Sequence, residues 1–368
     1  MTAGAAQVAS VLPDLTRPPS GRGLRVQAQV RQDLLDHRPL QDGRDDLQLP
    51  GAAVRTPEEP GSAIAPIPLH STLVSALVLA RLDAKRHGAL LERTAQGGAI
   101  LAFAVQGRDG AWHAGAQGLD ASTLDGKLVL NGHRSFVDNF RHASHCLVAY
   151  RDLDEPPALA LLETDRPGMA VTDLVTTAKD SQALVKFENV VVAAADVVAT
   201  GDSARRALRD LLDIAAALMT SQLAGAARRD MEFAVEYAKQ REAFGQPVGA
   251  FQAIQHLCAD MLIAVDGAEL LVREALWKMS RGLPASVEVS QAKAFASDKC
   301  IFVARSAQQI HGGLGFMMEC DLQLWYRRIA AFSMRCGSVR EHRRRVAAAL
   351  LDQPGKVRLG DPLAAVEA

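Results

Sequence analysis

Residues Tyr237–Gln252 read YAKQREAFGQPVGAFQ, and this stretch decides the fold of the C-terminal half. Lys239 and Arg241 close a helix with positive charge, and Phe244-Gly245 breaks it. Pro247 and Gly249 shape a turn before a second helix opens at Phe251-Gln252. Glycine just past a helix end and proline shortly after it are stop signals. A helix break that carries an arginine, backbone N–H groups and an exposed phenylalanine suits the phosphates and adenine of a nucleotide. An ordinary interhelical loop reads the same way, so the stretch gains meaning only from a companion.

Gln308–Glu319 reads QQIHGGLGFMME, again a helix ending in a glycine pair with an aromatic residue after it. YxxxRxxFGxPxxxFQ followed by QxxGGxGFxxE resembles the C-terminal half of the acyl-CoA dehydrogenase family, from about Leu208 to Leu351. The resemblance is weak from Pro66 to Val198 and almost absent before that.

At 368 residues the chain is long enough for two or three units. Its 41 Lys and Arg balance 42 Asp and Glu, and aromatic residues are few. That gives neither a field to attract nucleic acid nor stacking platforms for bases. The five cysteines (Cys146, Cys258, Cys300, Cys320, Cys336) form no CxxC pair, which fits reduced thiols and a cytoplasmic location. No metal-ligand spacing exists among the histidines, and His256, His311 and His342 read as polar or capping side chains. MTAGAAQVASVLPDL lacks the basic and apolar parts of a signal peptide, and the longest apolar run, Leu73 to Leu82, is far short of a membrane span.

In chain order, residues 1–97 read as an irregular segment followed by a helical block. Residues 16–62 are rich in Pro, Gly, Arg and Asp around one short helix, Val26 to Asp36. Helical spacing follows Pro66-Ile67-Pro68, with Gly88 as a break. Residues 98–200 are short alternating or β-branched runs with turn punctuation, Asn131-Gly132 included, and predict an antiparallel β domain. No GxGxxG or P-loop occurs at a strand–helix junction. Residues 201–352 read as a four-helix bundle and 353–368 as a tail. Helices are expected at Phe251–Met279, with a seam at Phe251, Ile254, Cys258, Met261, Val265, Ala268 and Val272, then at Ser286–Ile310 and Met334–Leu351. Arg340, Arg343, Arg344 and Arg345 read as a solvated helix face. The fold class is α+β and multidomain, the architecture of the family it resembles with a shortened first block.

The resemblance implies chemistry as well. Family members oxidise an acyl-CoA to the 2,3-enoyl-CoA; a carboxylate takes the α-proton and the β-hydride goes to FAD. The base is usually the Glu of Tyr-Glu-Gly-Thr, seventeen residues past the Glu of QxxGGxGFxxE. That count from Glu319 falls on Cys336 in Arg335-Cys336-Gly337-Ser338, so the Glu is missing. The alternative family position falls on Ala215 and Ala216. A lowered-pKa thiolate at Cys336 is the one remaining chemistry there, against an inert buried cysteine. The TEPxxGSD-like loop is replaced by AVQGRDGAWHAGAQ, and Trp-Ile-Thr by Phe136-Val137-Asp138, which puts a carboxylate where the flavin needs a donor.

The residues that clamp the ADP half of a neighbouring subunit's FAD are kept. By the resemblance these are Arg241, Phe244, Gln252, Gln309 and Gly313, with Ser338 in place of a family Thr. The expectation is a non-catalytic subunit that shares FAD across an interface with a homologous partner carrying the Glu and most of the acyl-CoA site. It resembles the paired, heterotetrameric dehydrogenases of bacterial steroid side-chain degradation. One alternative is a self-sufficient homotetramer with a relocated base at Glu319, Asp321 or Asp138; another is a structural paralogue without flavin.

Overall fold

The computed structural model describes residues 61–107, 110, 112, 118–152 and 157–352. The expected helix at Val26 to Asp36, most of the AVQGRDGAWHAGAQ loop and the 353–368 tail lie outside these residues.

Two helices come first, α1 (Leu69–Asp83) and α2 (Gly88–Ala95), parted at Gly88 as the sequence reads. α1 buries Val74, Val78 and Leu79 against the helical core. Eight strands follow: β1 (Leu101–Ala104), β2 (Leu119–Leu124), β3 (Lys127–Asp138), β4 (His145–Asp152), β5 (Pro157–Glu163), β6 (Met169–Leu174), β7 (Gln182–Val192) and β8 (Val197–Ala199). Their order is β6-β7-β3-β2-β4-β5-β8, with β1 beside β4.

The sheet is mostly antiparallel, but β4 runs parallel to both β1 and β2. Two chain reversals explain the second pair. A hairpin at Asp125-Gly126 turns β2 into β3, and the 3-10 turn Phe140–His142 reverses the chain again before β4. β1 arrives from a helix rather than a hairpin, so no turn forces it antiparallel. The hairpin turn is Asp125-Gly126, both with positive φ as a type I′ turn requires, not Asn131-Gly132. Gly132 lies inside β3 at a register shift, with φ 135° and no room for a Cβ against the Gly118 carbonyl.

From Gly201 the chain is helical. α3 (Gly201–Gln240) is the axis of the bundle, and its small residues from Ala215 to Ala217 and Ala224 to Ala227 are fully covered. Against it pack α4 (Gln252–Ser280) and α5 (Ser286–His311), close to the expected bounds. The expected helix Met334–Leu351 starts only at Val339 as α7 (Val339–Leu351), and before it stands α6 (Leu322–Met334), a helix that the sequence reading did not assign. Cys336 (φ 56°) and Gly337 (φ 98°) break the chain between them, a left-handed pair that no continuous helix can contain. The α4 seam holds from Met261 to Val272, whereas Ile254 and Cys258 are only half-buried near the helix start. The arginine run is in part paired: Arg345 with Asp213 at 3.2 Å and Arg343 with Asp298 at 3.5 Å, while Arg340 and Arg344 face solvent.

Candidate functional site

The two motifs meet. Tyr237 of the first stacks on His311 of the second, ring centroids 4.3 Å apart and 23° from parallel. His311 is anchored through Nδ1 donating to the Ala307 carbonyl at 2.7 Å. α3 ends with the Arg241 amide donating to Tyr237 O at 2.8 Å, and Arg241 O accepts from Val248 N at 2.8 Å. This closes the short hairpin Glu242–Pro247 in which Phe244 takes φ 55°. Phe244 is 95% exposed, its ring edge-on to Phe251 at 6.2 Å. A phenylalanine held outward in a strained conformation points to use by a ligand.

Arg241, Gln252, Gln309 and Gly313 are likewise exposed on the elements joined by this stack. Gly312 has φ 59°, and a Cβ at Gly313 would meet nothing within 4 Å, which leaves an open cradle beside the α5 terminus. Gly315 is required by packing, because a Cβ there would collide with Gln308 O. Leu314, Phe316, Met317 and Met318 extend the exposed apolar rim. Ser338 stands on another element, as N-cap of α7 in a reciprocal capping box with Glu341. The polar and apolar groups around Arg241 and Phe244 fit a nucleotide diphosphate.

The region of the expected base is built around Cys336, Arg335 and Lys293. Cys336 is buried, and burial pushes its thiol up to about 12, so it is protonated at neutral pH and cannot serve as base. His342, itself fully buried and held neutral by burial, donates from Nε2 to Cys336 O at 2.8 Å. Lys293, fully buried on α5, donates to Phe332 O at 2.6 Å and Ser333 O at 3.3 Å and so caps the end of α6. Burial lowers this ammonium to about 8.

The residue before Cys336 carries the charge. Arg335 reaches Asp138 at the end of β3 through Nη2 and Asp180 through Nη1. Asp138 also accepts from Gln182 Nε2 at 2.8 Å, and Asp180 from Thr176 Oγ1 at 2.6 Å. The Asp138 carboxylate that the sequence sets against a flavin is therefore neutralised by an arginine from the bundle. At the alternative base position, Ala215 is buried and its carbonyl accepts from His70 Nε2 at 3.0 Å. Glu319 and Asp321 are exposed outside this region, and Asp138 is held by Arg335. Sequence reasoning missed Arg335, although it stands in the Tyr position of Tyr-Glu-Gly-Thr; it also missed His70 and Asp180, which carry no motif.

Trp112 closes the same region, its indole buried and its backbone N–H donating to Glu341 Oε1 at 3.1 Å. Between α1, the β3 end, the β6–β7 loop and α6 a cavity of about 400 Å³ remains. Among the described residues no group of three or more His, Cys, Asp or Glu is placed to hold a metal. No described helix is long and apolar enough to cross a membrane.

Residues 204–351 match the family "Acyl-CoA dehydrogenase, C-terminal domain". The chain is 28% identical over 237 residues to the probable acyl-CoA dehydrogenase YngJ of Bacillus subtilis, 62% of each chain. It is 37% identical over 138 residues to acyl-CoA dehydrogenase IpdE2 of Mycolicibacterium smegmatis, 38% of this chain and 43% of that one. The matches thus span less than two thirds of these relatives. In fold it is similar to the ChsE4–ChsE5 complex from Mycobacterium tuberculosis, TM-score 0.76 at 22% identity over 92% of this chain and 99% of that one. It is also similar to the Tcur3481–Tcur3483 steroid ACAD, TM-score 0.74 at 24% identity over 89% and 97%. The chain is therefore similar to acyl-CoA dehydrogenases, in sequence most clearly over residues 204–351 and in fold over most of its length.

Proposed function

We propose that this chain is the non-catalytic subunit of an FAD-dependent acyl-CoA dehydrogenase. It lends Arg241, Phe244, Gln252, Gln309 and Gly313 to the ADP half of an FAD whose ring lies in a homologous partner. That partner supplies the glutamate base and the acyl-CoA site, and the flavin accepts the hydride. The observation that carries the reading is the ion-pair bridge from Arg335 to Asp138 and Asp180 beside a protonated Cys336 thiol. A buried cation satisfied by two carboxylates leaves no base and no flavin donor on this side. The residues proposed to face the nucleotide, in contrast, are exposed, and among the described residues none of them forms an ion pair.

Assembly is supported by a stripe along α4, where Leu262, Ile263, Leu270 and Trp277 are all exposed at one-face spacing. The likeness to a two-chain complex and to a steroid ACAD favours a heterotetramer and a steroid or lipid acyl-CoA. The free cysteines favour the cytoplasm.

The test is flavin content of the chain alone and co-expressed with a homologous dehydrogenase subunit. The reading expects a colourless chain alone and a yellow pair that loses FAD on Arg241→Ala. A chain that alone carries stoichiometric FAD and oxidises acyl-CoA overturns it.

A further inference from the structure

The turn between α6 and α7 sets where Arg335 points, and buried side chains hold it from both sides. The last carbonyls of a helix lack intrahelical partners. On α6 two of them, Phe332 O and Ser333 O, accept from Lys293 Nζ at 2.6 and 3.3 Å. The same ammonium donates to Ser297 Oγ at 3.0 Å. Past Arg335 the backbone is left-handed at Cys336 and Gly337, and Cys336 O accepts from His342 Nε2 at 2.8 Å. A Cβ at Gly337 would meet the His342 ring and the Trp112 indole, so that side of the turn is packed tight.

Lys293 is 0% exposed, yet its three partners are all neutral oxygens. The titratable groups that face it are Cys300 on α5, Arg335 and Cys336 in the turn, His342 on α7 and His70 on α1. Among the described residues α3, α4 and α6 present none to it, and no carboxylate pairs with it. An ammonium buried without counter-charge is costly. Burial accordingly lowers Lys293 to about 8, so the charge is carried at neutral pH against its own desolvation. The position of that charge, at the end of α6 and just before Arg335, gives it a use.

We propose that Lys293 is a positioning residue whose charge grips the end of α6 and so keeps Arg335 on Asp138 and Asp180. Movement of the two gripped carbonyls carries the Arg335 backbone with them and draws its guanidinium off the aspartates. When Lys293 loses its proton, two N–H donors and a lone pair remain. Ser297 Oγ, which can donate as well as accept, turns to that lone pair, and the two carbonyls keep only ordinary hydrogen bonds in place of charge-assisted ones. The turn therefore loosens on the alkaline side without global unfolding. This goes beyond the shared-FAD reading and does not depend on it.

The test is hydrogen exchange of the full chain in its assembly, read by mass spectrometry on a peptide spanning 331–342 and on one from α4. Both are corrected for the intrinsic pH dependence of exchange. Lys293→Met should lower protection of the turn about tenfold or more and leave α4 unchanged. Lys293→Gln, which keeps two N–H donors without charge, should fall between and lose the pH dependence. In the native chain, protection of the turn should fall about threefold or more from pH 7 to pH 9.5. Global stability relative to Lys293→Met should rise over the same range, because the folded pKa lies below the ordinary lysine value. Lys293→Met combined with Arg335→Met should lower protection no further than the more severe variant alone, since both act through one bridge. Unchanged protection in folded Lys293→Met, an equal loss in α4, a native turn insensitive to pH, or effects that multiply in the double variant overturns the proposal. Should Lys293→Met fail to fold, the native pH series and Lys293→Gln decide it.

Discussion

Replacing Arg335 with Met tests its bridge to Asp138 and Asp180. The substitution keeps length and apolar stem but removes both charge-assisted hydrogen bonds, to Asp138 and to Asp180. The side chains of Arg335, Asp138 and Asp180 retain only 20%, 11% and 16% of their exposure, so solvent screens the pair little. Breaking a buried pair costs about 3–5 kcal/mol because the remaining carboxylates stay uncompensated. Gln182 and Thr176 keep one hydrogen bond to each aspartate, which favours the low end. About 3 kcal/mol corresponds to a fall of roughly 6–12 °C in melting temperature for a domain of this size class. Scanning calorimetry of the double-mutant cycle isolates the coupling. In a background of Asp138→Asn with Asp180→Asn, Arg335→Met should cost less than about 1 kcal/mol. Arg335→Lys should recover only part of the loss, because one ammonium cannot span two carboxylates as the guanidinium fork does. A single-variant loss below about 1 kcal/mol, or a loss that persists without the aspartates, refutes the bridge.

Other expectations are independent of it. Asp230 is fully buried on α3 with neither oxygen partnered, and burial raises its pKa well above the usual range. A raised folded pKa stabilises below the unfolded value and is lost as pH rises, so Asp230→Asn should gain in melting temperature over the native chain from pH 4 to pH 8. Gly337→Ala should destabilise by more than about 2 kcal/mol in denaturant titration, because φ is 98° and the new Cβ meets His342 Nε2. Phe244→Ala should leave melting within about 0.5 kcal/mol of the native chain yet lower the flavin retained by the assembly. Thiol labelling at pH 8 should modify the half-buried Cys258 and Cys320 before the buried Cys146, Cys300 and Cys336.

What was legible in the sequence was local. Stop signals after Gln240 and after His311 fixed two helix ends, and the α4 seam and turn punctuation gave the bundle and the sheet. Residue identity at the positions matched to the family's motifs was enough to expect a missing glutamate and a kept Arg241. The positive φ values at Cys336 and Gly337 were less visible, because a cysteine carries no signal for left-handed backbone. Direction in the sheet was hidden for a similar reason: β1 beside β4 depends on where α2 delivers the chain. The contacts from Arg335 to Asp180 and Asp138 span 155 and 197 positions, and the contact from His70 to Ala215 spans 145. Period and punctuation act over a few residues, so the sequence by itself determined most of the elements. Only the tertiary structure decided which charge neutralises Asp138 and which polar atoms stand unpaired, because desolvation and pairing depend on burial between elements distant in the chain.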